Sequence, residues 1–324
     1  MAAKPSVLVT RKWPEAVEAR LSEHYDTTLN RADRALTPAE FRDALTKFDA
    51  VLPTVTDKLT AEALDVPKAQ TKIFGNYGVG YSHIDVARAQ ALGVTVTNTP
   101  DVLSECTADL AMTLMLMVAR RASEGEREVR EGRWDGWRPT HLMGTKVSGK
   151  TLGIVGFGRI GQEMARRAHH GFGMEVLVYS RSTVAEGVLA KHGARQVSSL
   201  HEMLNQCDFV SLHCPGGQEN RHIINAQALN AMKPDAYLIN TARGEVIDEQ
   251  ALTQALMFDT IGGAALDVFE GEPRINPMLK DCDNLVMLPH LGSATREARE
   301  AMGFRVLDNL DDFFMGRPPR DRVV

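Results

Sequence analysis

The sequence has little of what marks secreted, membrane or nucleic-acid-binding chains. It holds only four cysteines, with no C-x-x-C pair and no metal-finger spacing, so it predicts free thiols in a reducing compartment. Its most apolar stretch, residues 110–119, is far shorter than the roughly 20 residues a membrane-spanning helix needs. No run of Lys or Arg forms a basic stripe and the net charge is only -5, which argues against nucleic acid as the main partner.

Export and disorder signals are also absent from the sequence. Residues 1–20 contain no long apolar segment and no small-residue cleavage site, which predicts a cytoplasmic protein. The composition, 44% hydrophobic and 24% charged, is typical of a globular chain. Because 324 residues exceed what one hydrophobic core usually serves, two domains with a cleft between them are predicted.

Short β-branched runs alternate with amphipathic stretches along both halves of the chain. This alternation predicts an α/β fold of two doubly wound parallel-sheet domains, of Rossmann or flavodoxin type. A charged segment within residues 124–150 shows little apolar periodicity and is interpreted as an arm or linker. The apolar spacing in residues 293–316 predicts a C-terminal helix.

A dinucleotide fingerprint opens the second half. Gly156, Gly158 and Gly161, with Arg159 and Ile160 between them, follow the strand-like run LGIV and precede a helical run. The first glycine allows a tight turn, the second lets the backbone approach a pyrophosphate, and the third lets helix and strand pack closely. The phosphates then meet the positive end of the helix.

The end of the next strand decides between NAD and NADP. NAD-binding chains place a carboxylate there for the ribose hydroxyl, whereas an Arg accommodates a 2′-phosphate. This sequence has Ser180, Arg181 and Ser182 and no carboxylate. NADP is therefore the predicted cofactor, with NAD as the alternative, since Arg181 can also be a solvated loop residue.

Reduction of a keto acid needs a cation for the substrate, a proton donor, and a group that tunes the donor. Arg243, Glu272 and His290 each follow a predicted strand of the second half. Ligands bind at the carboxyl ends of strands in open α/β sheets, which makes these three residues catalytic candidates. Taken singly, each has a structural explanation as well.

The motifs around these three residues favour the catalytic interpretation over the structural one. NTARGEVIDEQAL, GAALDVFEGEP and LPHLGSAT, with GIVGFGRIG, NYGVGYSHIDV and NTPDVLSECTADLA, closely resemble the D-isomer-specific 2-hydroxyacid dehydrogenase family, most like its glyoxylate and hydroxypyruvate reductases. The resemblance covers nearly the whole chain. It implies NAD(P)H-dependent reduction of a small 2-keto acid to the D-2-hydroxy acid.

The resemblance also implies roles for single residues. Arg243 binds the substrate carboxylate and carbonyl, His290 donates the proton, and Glu272 keeps His290 charged. The remaining implied contacts are substrate binding by the backbone at Gly78, Val79 and Gly80; nicotinamide contacts at Thr107 and Asp267; adenine-side contacts at Cys214 and Pro215; and further cofactor contacts at Thr241 and Ala242.

The family further implies a discontinuous substrate domain, residues 1–100 with 292–324, and a dinucleotide domain, residues 101–291. A homodimer would be held by an arm near residues 120–150, with Trp134 and Trp137 as interface anchors or as cover for the arm's own hinge. No metal site is predicted, because the histidines form no ligand set.

Two other functions stay open. One is another D-2-hydroxyacid dehydrogenase acting on phosphoglycerate or lactate; a phosphoglycerate enzyme is expected to carry a C-terminal extension and an extra basic cluster. The other is a dinucleotide-sensing corepressor, which is expected to carry disordered tails. Formate oxidation is disfavoured, because formate dehydrogenases resembling this family have Gln where this chain has Glu272.

Overall fold

The computed structural model describes residues 3–324, and its contacts divide the chain into two compact units. Unit 1 comprises the described residues up to Leu103 together with Ala294–Val324, and unit 2 is Ser104–Ser293. Both units are built from parallel strands joined by helices, so the predicted α/β class with two doubly wound sheets is confirmed. Within residues 3–324, no helix is both long and apolar enough to cross a membrane.

Unit 1 holds a parallel sheet that has five strands among the described residues, in the order β2-β1-β3-β4-β5. This is the flavodoxin-like order. Its elements are β1 (Ser6–Val9), α1 (Glu15–His24), β2 (Asp26–Leu29), α2 (Pro38–Lys47), β3 (Ala50–Leu52), β4 (Ile73–Gly75), α3 (Val86–Ala91), β5 (Thr95–Thr97) and α11 (Arg296–Phe314).

The C-terminal helix α11 packs closely on unit 1 because glycines remove side chains at the contacts. A Cβ on Gly303 would lie 2.5 Å from Val17 of α1, and one on Gly75 would lie 2.6 Å from Val306. The chain end then runs along β5, where the amide of Val323 donates to Val96 O at 2.7 Å. Backbone contact and close packing together hold the last 31 residues in this unit.

Unit 2 holds a parallel sheet with seven strands among the described residues, in the order β12-β11-β10-β9-β6-β7-β8. Strand order reverses between β6 and β9, which makes their carboxyl ends the topological switch point. Its elements are α4 (Ser104–Ala119), α5 (Ala122–Arg130), β6 (Thr151–Val155), α6 (Arg159–Phe172), β7 (Glu175–Tyr179), α7 (Glu186–Lys191), β8 (Ala194–Val197), α8 (Leu200–Gln206), β9 (Phe209–Leu212), α9 (Ala226–Asn230), β10 (Tyr237–Asn240), α10 (Glu249–Met257), β11 (Gly263–Leu266) and β12 (Leu285–Met287).

The core of unit 2 lies on both faces of its sheet. Leu152 and Ile154 face α4 and α6, whereas Val210 and Leu212 face the opposite layer. The central strands are buried on both sides, which explains why they read as continuous apolar runs in the sequence.

The first part of the charged segment forms helix α5. Val129 is its one exposed large apolar residue, so the helix has no apolar period and its pattern lies in charges instead. Arg121 pairs with Glu124 and Arg130 pairs with Glu126, at the i,i+3 and i,i+4 spacings that stabilise a helix surface. The arm therefore begins with a helix.

Candidate active site

The predicted cofactor contacts all lie in unit 2, and all but one follow the carboxyl end of a strand. Parallel neighbouring strands bring these ends to one edge of the sheet. They are Thr107 in α4; Gly156, Gly158, Arg159, Ile160 and Gly161 after β6; Ser180, Arg181 and Ser182 after β7; Cys214 and Pro215 after β9; Thr241 and Ala242 after β10; and Asp267 after β11.

The glycine-rich turn has the geometry of a phosphate cradle. Gly156 has φ +92°, and a Cβ there would lie 2.7 Å from the amide nitrogen of Cys214. A Cβ on Gly161 would lie 2.3 Å from Gly156 O, so α6 packs against the turn only with glycine at this position. A Cβ on Gly158 would meet nothing within 4 Å, so its backbone is open to a ligand at the start of α6.

Two buried polar atoms near this edge lack partners among residues 3–324. They are Thr241 Oγ1 and His213 Nδ1, which follow the neighbouring strands β10 and β9. A buried hydroxyl without a partner is costly, and it is typical of a position that a ligand completes. Burial lowers the pKa of His213 to about 4, so its imidazole is neutral at physiological pH. The cradle and the unpartnered Thr241 hydroxyl fit a dinucleotide.

The loop after β7 places Arg181 in an exposed position. Gln196 of β8 donates to the carbonyls of Ser180 and Ser182, at 3.3 and 2.9 Å, and so holds the loop on both sides of Arg181. The Arg181 guanidinium pairs with the exposed carboxylate of Glu219. Neither Gln196 nor Glu219 was predicted from the sequence, since nothing in the linear pattern connects them with residues 180–182.

Cys214 lies against the glycine turn, and Pro215 follows it in the chain. The Cys214 backbone touches Gly156, and burial raises the pKa of the Cys214 thiol to about 11. The carbonyl of Pro215 accepts a hydrogen bond of 2.8 Å from Asn220 Nδ2. Cys214 is therefore a neutral, packed side chain rather than a reactive thiol.

Arg243, Glu272 and His290 follow β10, β11 and β12, which are neighbours in the sheet. His290 Nδ1 lies 2.9 Å from Glu272 Oε2, and the amide of Phe269 donates to the other carboxylate oxygen at 2.8 Å. Burial opposes ionisation of Glu272, but the hydrogen bond and charge of His290 outweigh it, so the pKa of Glu272 is below its usual value. The pair is an ionised carboxylate against an imidazole.

Asp267 holds the segment that carries His290. The amide of Leu291 donates to its Oδ1 at 2.6 Å, and the amide of Gly292 donates to its Oδ2 at 2.8 Å. Burial raises the pKa of Asp267 although both hydrogen bonds oppose the shift. Thr107 Oγ1 donates to Gly292 O at 3.1 Å and ties α4 to the same segment. His290 itself has φ +56°, a conformation that a β-carbon disfavours and that the surrounding bonds impose.

Arg243 is fixed through its backbone neighbours. Asn240 accepts from the amide of Ala242 at 2.9 Å and donates to Arg243 O at 2.9 Å. A Cβ on Gly244 would lie 1.9 Å from the Phe269 backbone, so the Arg243 segment packs directly on the turn that leads to Glu272. Burial lowers the pKa of Arg243, against the opposing charges of Glu245 and Glu272.

The third predicted group lies in unit 1, in the turn after β4. The amide of Gly78 is used within the turn, where it donates to Asn76 O at 3.0 Å. Within residues 3–324, the amides of Val79 and Gly80 donate to no protein acceptor. These two half-buried residues carry the available N–H donors of the segment, and successive free backbone N–H groups can bind an anion. Among the described residues, no group of three or more His, Cys, Asp or Glu side chains could hold a metal ion.

The strand order of unit 2, the glycine turn at its switch point, and the Arg, Glu and His at adjacent strand ends define a nicotinamide-dependent dehydrogenase. A family model described as "D-isomer specific 2-hydroxyacid dehydrogenase, NAD binding domain" matches residues 112–292. The chain belongs to this family, and it is an NAD(P)-dependent D-2-hydroxyacid dehydrogenase.

Proteins of this family match the chain over nearly its full length. A glyoxylate reductase of Thermococcus litoralis is 44% identical over 99% of this chain and 97% of its own length. A glycerate dehydrogenase of Hyphomicrobium methylovorum is 37% identical over 97% of each chain. The crystal structure of an NADPH-dependent glyoxylate/hydroxypyruvate reductase from Sinorhizobium meliloti, in complex with NADP and malonate, superposes with a TM-score of 0.86 at 36% identity, covering 99% of this chain and 97% of that one.

Proposed function

We propose that this chain reduces glyoxylate or hydroxypyruvate to the D-2-hydroxy acid, with NADPH as the preferred cofactor. The hydrogen bond of 2.9 Å between His290 and Glu272 is the observation that carries the proposal, because it joins a proton donor to a carboxylate beside the half-buried Arg243. The relatives named glyoxylate reductase and glyoxylate/hydroxypyruvate reductase support the choice of substrate.

The geometry of the site residues supports the catalytic roles proposed for them. When bound, the reduced nicotinamide supplies a hydride to the carbonyl carbon of the keto acid. His290 donates a proton to the carbonyl oxygen from Nε2, since Nδ1 faces Glu272. Glu272 stabilises the charged imidazole, and Arg243 binds the keto acid and stabilises negative charge that develops on its oxygen. The amides of Val79 and Gly80 bind the substrate carboxylate. Gly78 belongs to the same turn, where its own amide donates to Asn76 O.

The cofactor contacts are proposed residue by residue. Gly156, Gly158, Arg159, Ile160 and Gly161 would hold the pyrophosphate at the start of α6, and Arg181 between its two serines would hold the 2′-phosphate. Thr241 would use its unpartnered hydroxyl, with Ala242 beside it. Cys214 and Pro215 would cover the adenine side, while Thr107 and Asp267 would contact the nicotinamide end.

Initial rates of NADPH and NADH oxidation with glyoxylate, hydroxypyruvate and pyruvate test this function. We expect rapid oxidation of NADPH with glyoxylate or hydroxypyruvate and a lower kcat/KM with NADH. A preference for NADH would contradict only the role of Arg181 and would leave the proposed reaction standing. Absence of turnover with all three acids would contradict the proposed substrate class.

The role of Arg181 predicts a change in cofactor preference. In Arg181→Ala we expect the KM for NADPH to rise about tenfold with little change for NADH, because charge-assisted hydrogen bonds to the 2′-phosphate are lost. In Glu219→Gln we expect the KM for NADPH to fall a few fold, since a competing carboxylate no longer pairs with Arg181. Arg195→Ala, which removes another exposed, paired Arg from the neighbouring strand β8, is the control and should leave both KM values unchanged.

The pairing of Glu272 with His290 predicts a loss of turnover when the carboxylate is replaced. Burial opposes ionisation of Glu272, but the hydrogen bond and charge of His290 lower its pKa, so the carboxylate is ionised beside the imidazole. In Glu272→Gln we expect kcat for keto-acid reduction to fall by about tenfold or more, because a neutral amide no longer stabilises the charged proton donor. An unchanged kcat, or the same loss in Glu270→Gln, whose carboxylate pairs with His222 instead, would contradict the role of Glu272.

The domain roles and the oligomer are part of the proposal. Residues 1–100 with 292–324 form the substrate domain, residues 101–291 form the dinucleotide domain, and two copies associate through the arm near residues 120–150. Trp134, Trp137 and Met143 of the arm are 54%, 82% and 66% exposed, and Met257 of the same unit is 54% exposed. Exposed apolar surface of this kind favours burial by a partner. Light scattering gives the mass that tests the homodimer.

A further inference from the structure

A buried asparagine controls the turn after β4 and is not among the residues predicted from the sequence. The Asn76 side chain is 0% exposed. Its Nδ2 donates to the carbonyls of Gly78 and Gly80, at 2.9 and 3.0 Å. Its Oδ1 lies 3.0 Å from His83 Nε2. One side chain therefore joins two carbonyls of the turn to an imidazole seven residues after Asn76.

The carbonyl between these two is held in the same way. Asn98 Nδ2 donates to Val79 O at 2.9 Å, and the amide of Thr99 adds a second donor to Gly78 O at 3.1 Å. All three consecutive carbonyls of residues 78–80 thus accept hydrogen bonds from side-chain amides. Asn76 and Asn98 lie at the ends of the neighbouring strands β4 and β5.

The held carbonyls determine where the amides point. In a trans peptide, the C=O of one residue and the N–H of the next point in opposite directions. Holding Gly78 O on Asn76 therefore turns the N–H of Val79 away from Asn76, and holding Val79 O on Asn98 does the same for the N–H of Gly80. Within residues 78–80, these are the two N–H groups that have no protein acceptor among the described residues.

The hydrogen-bonding capacity of Asn76 also assigns the proton on His83. Both protons of Asn76 Nδ2 are donated to carbonyls, so Oδ1 can only accept. His83 Nε2 therefore carries a proton and donates it. With the amide reversed, Oδ1 would face two carbonyl oxygens, so the His83 bond keeps Asn76 in the orientation that the turn needs.

We propose that Asn76, Asn98 and His83 are positioning residues for the substrate carboxylate. They hold the peptide groups of residues 78–80 so that the N–H groups of Val79 and Gly80 are oriented for the anion before it binds. The identity of that anion, the carboxylate of a 2-keto acid, rests on the proposed function. Without these side chains, the glycine-containing turn can adopt other backbone conformations. Binding of the anion must then also order the turn, which lowers the affinity.

Four variants test the proposal by the KM for glyoxylate and by the Kd for oxalate, a non-reducible dicarboxylate, measured calorimetrically with NADP present. In Asn76→Ala we expect both to rise at least tenfold, because two carbonyls lose their donor. In His83→Ala we expect a three- to tenfold rise. His83→Gln keeps an N–H donor in place of Nε2 and should stay within about twofold of the unchanged protein.

Asn30→Ala is the matched control. Asn30 also donates from Nδ2 to two carbonyls, those of Thr10 and Arg34, but it follows β2, three strands from β4 in the same sheet. It should leave the KM for glyoxylate and the Kd for oxalate unchanged. We expect the Kd for NADPH to stay within twofold in all four variants, since its proposed contacts lie in unit 2.

The outcomes separate this proposal from the proposed function. Unchanged oxalate binding in Asn76→Ala and His83→Ala would overturn the positioning role, and so would equal losses in Asn30→Ala or in His83→Gln. If Asn76→Ala does not fold, the comparison of His83→Ala with His83→Gln decides. Failure of the unchanged protein to reduce any keto acid would overturn the proposed function, whereas oxalate affinity would still report on the turn.

Discussion

Replacing His290 with Gln is expected to reduce kcat for keto-acid reduction by about 10³-fold, within the range that general acid catalysis contributes. Gln can still hydrogen-bond but cannot deliver a proton at physiological pH. The backbone amides of residues 290–292 donate to Asp267, and these hydrogen bonds do not involve the imidazole. NADPH affinity, followed by its fluorescence, is therefore expected to remain within about twofold.

Unit 2 offers a matched control for this variant. His222 also faces a carboxylate, with Nε2 lying 3.2 Å from Glu270 Oε2. His222→Gln removes another histidine that faces a carboxylate and should keep nearly full turnover. Near-normal kcat in His290→Gln, or an equal loss in His222→Gln, would remove His290 as the proton donor.

Replacing Arg243 with Ala is expected to lower kcat/KM by about 10³-fold, with both kcat and KM affected. One stabilising group lost from a developing oxyanion costs about 10²- to 10³-fold, and a carboxylate loses a charge-assisted partner besides. Burial lowers the pKa of Arg243, which means that keeping its charge costs folding free energy. We therefore expect the melting temperature of Arg243→Ala to stay the same or to rise.

Two further variants test the assignment of Arg243. Arg243→Lys keeps the charge without the planar, two-pronged donor and should recover only part of the activity. Arg221→Ala, which breaks the ion pair with Glu270 in the same unit, should retain activity. A rise in KM with unchanged kcat in Arg243→Ala would mean that Arg243 binds the substrate and the transition state equally well and does not speed the chemical step.

The elements that sequence patterns predict well are those with an apolar face of their own. The strands β6, β7, β9 and β10 are buried, and their apolar runs mark them directly. The strands β2 (Asp26–Leu29) and β8 (Ala194–Val197) escape such prediction, because they lie at sheet edges and at least half of the residues in each are polar. Helix α5 escapes it for a similar reason, since charge pairs rather than apolar contacts stabilise it.

The sequence by itself determined the family, the dinucleotide turn and the identity of Arg243, Glu272 and His290 as candidates. Steric rules explain the turn, because Gly156 has φ +92° and a Cβ on Gly161 would collide with Gly156 O, five residues earlier. A steric requirement between residues close in sequence can be recognised in a short motif, without knowledge of the rest of the fold.

Tertiary structure alone decided which side chains support these groups. The neighbouring order of β11 and β12 brings Asp267 to the amides of Leu291 and Gly292, and it places Glu272 beside His290 as the resemblance implied. The bonds from Asn76 to the carbonyls of residues 78–80, and the pairing of Arg181 with Glu219, have no linear signature. Such contacts depend on strand order and side-chain direction, which are set by the packing of the whole sheet rather than by spacing along the chain.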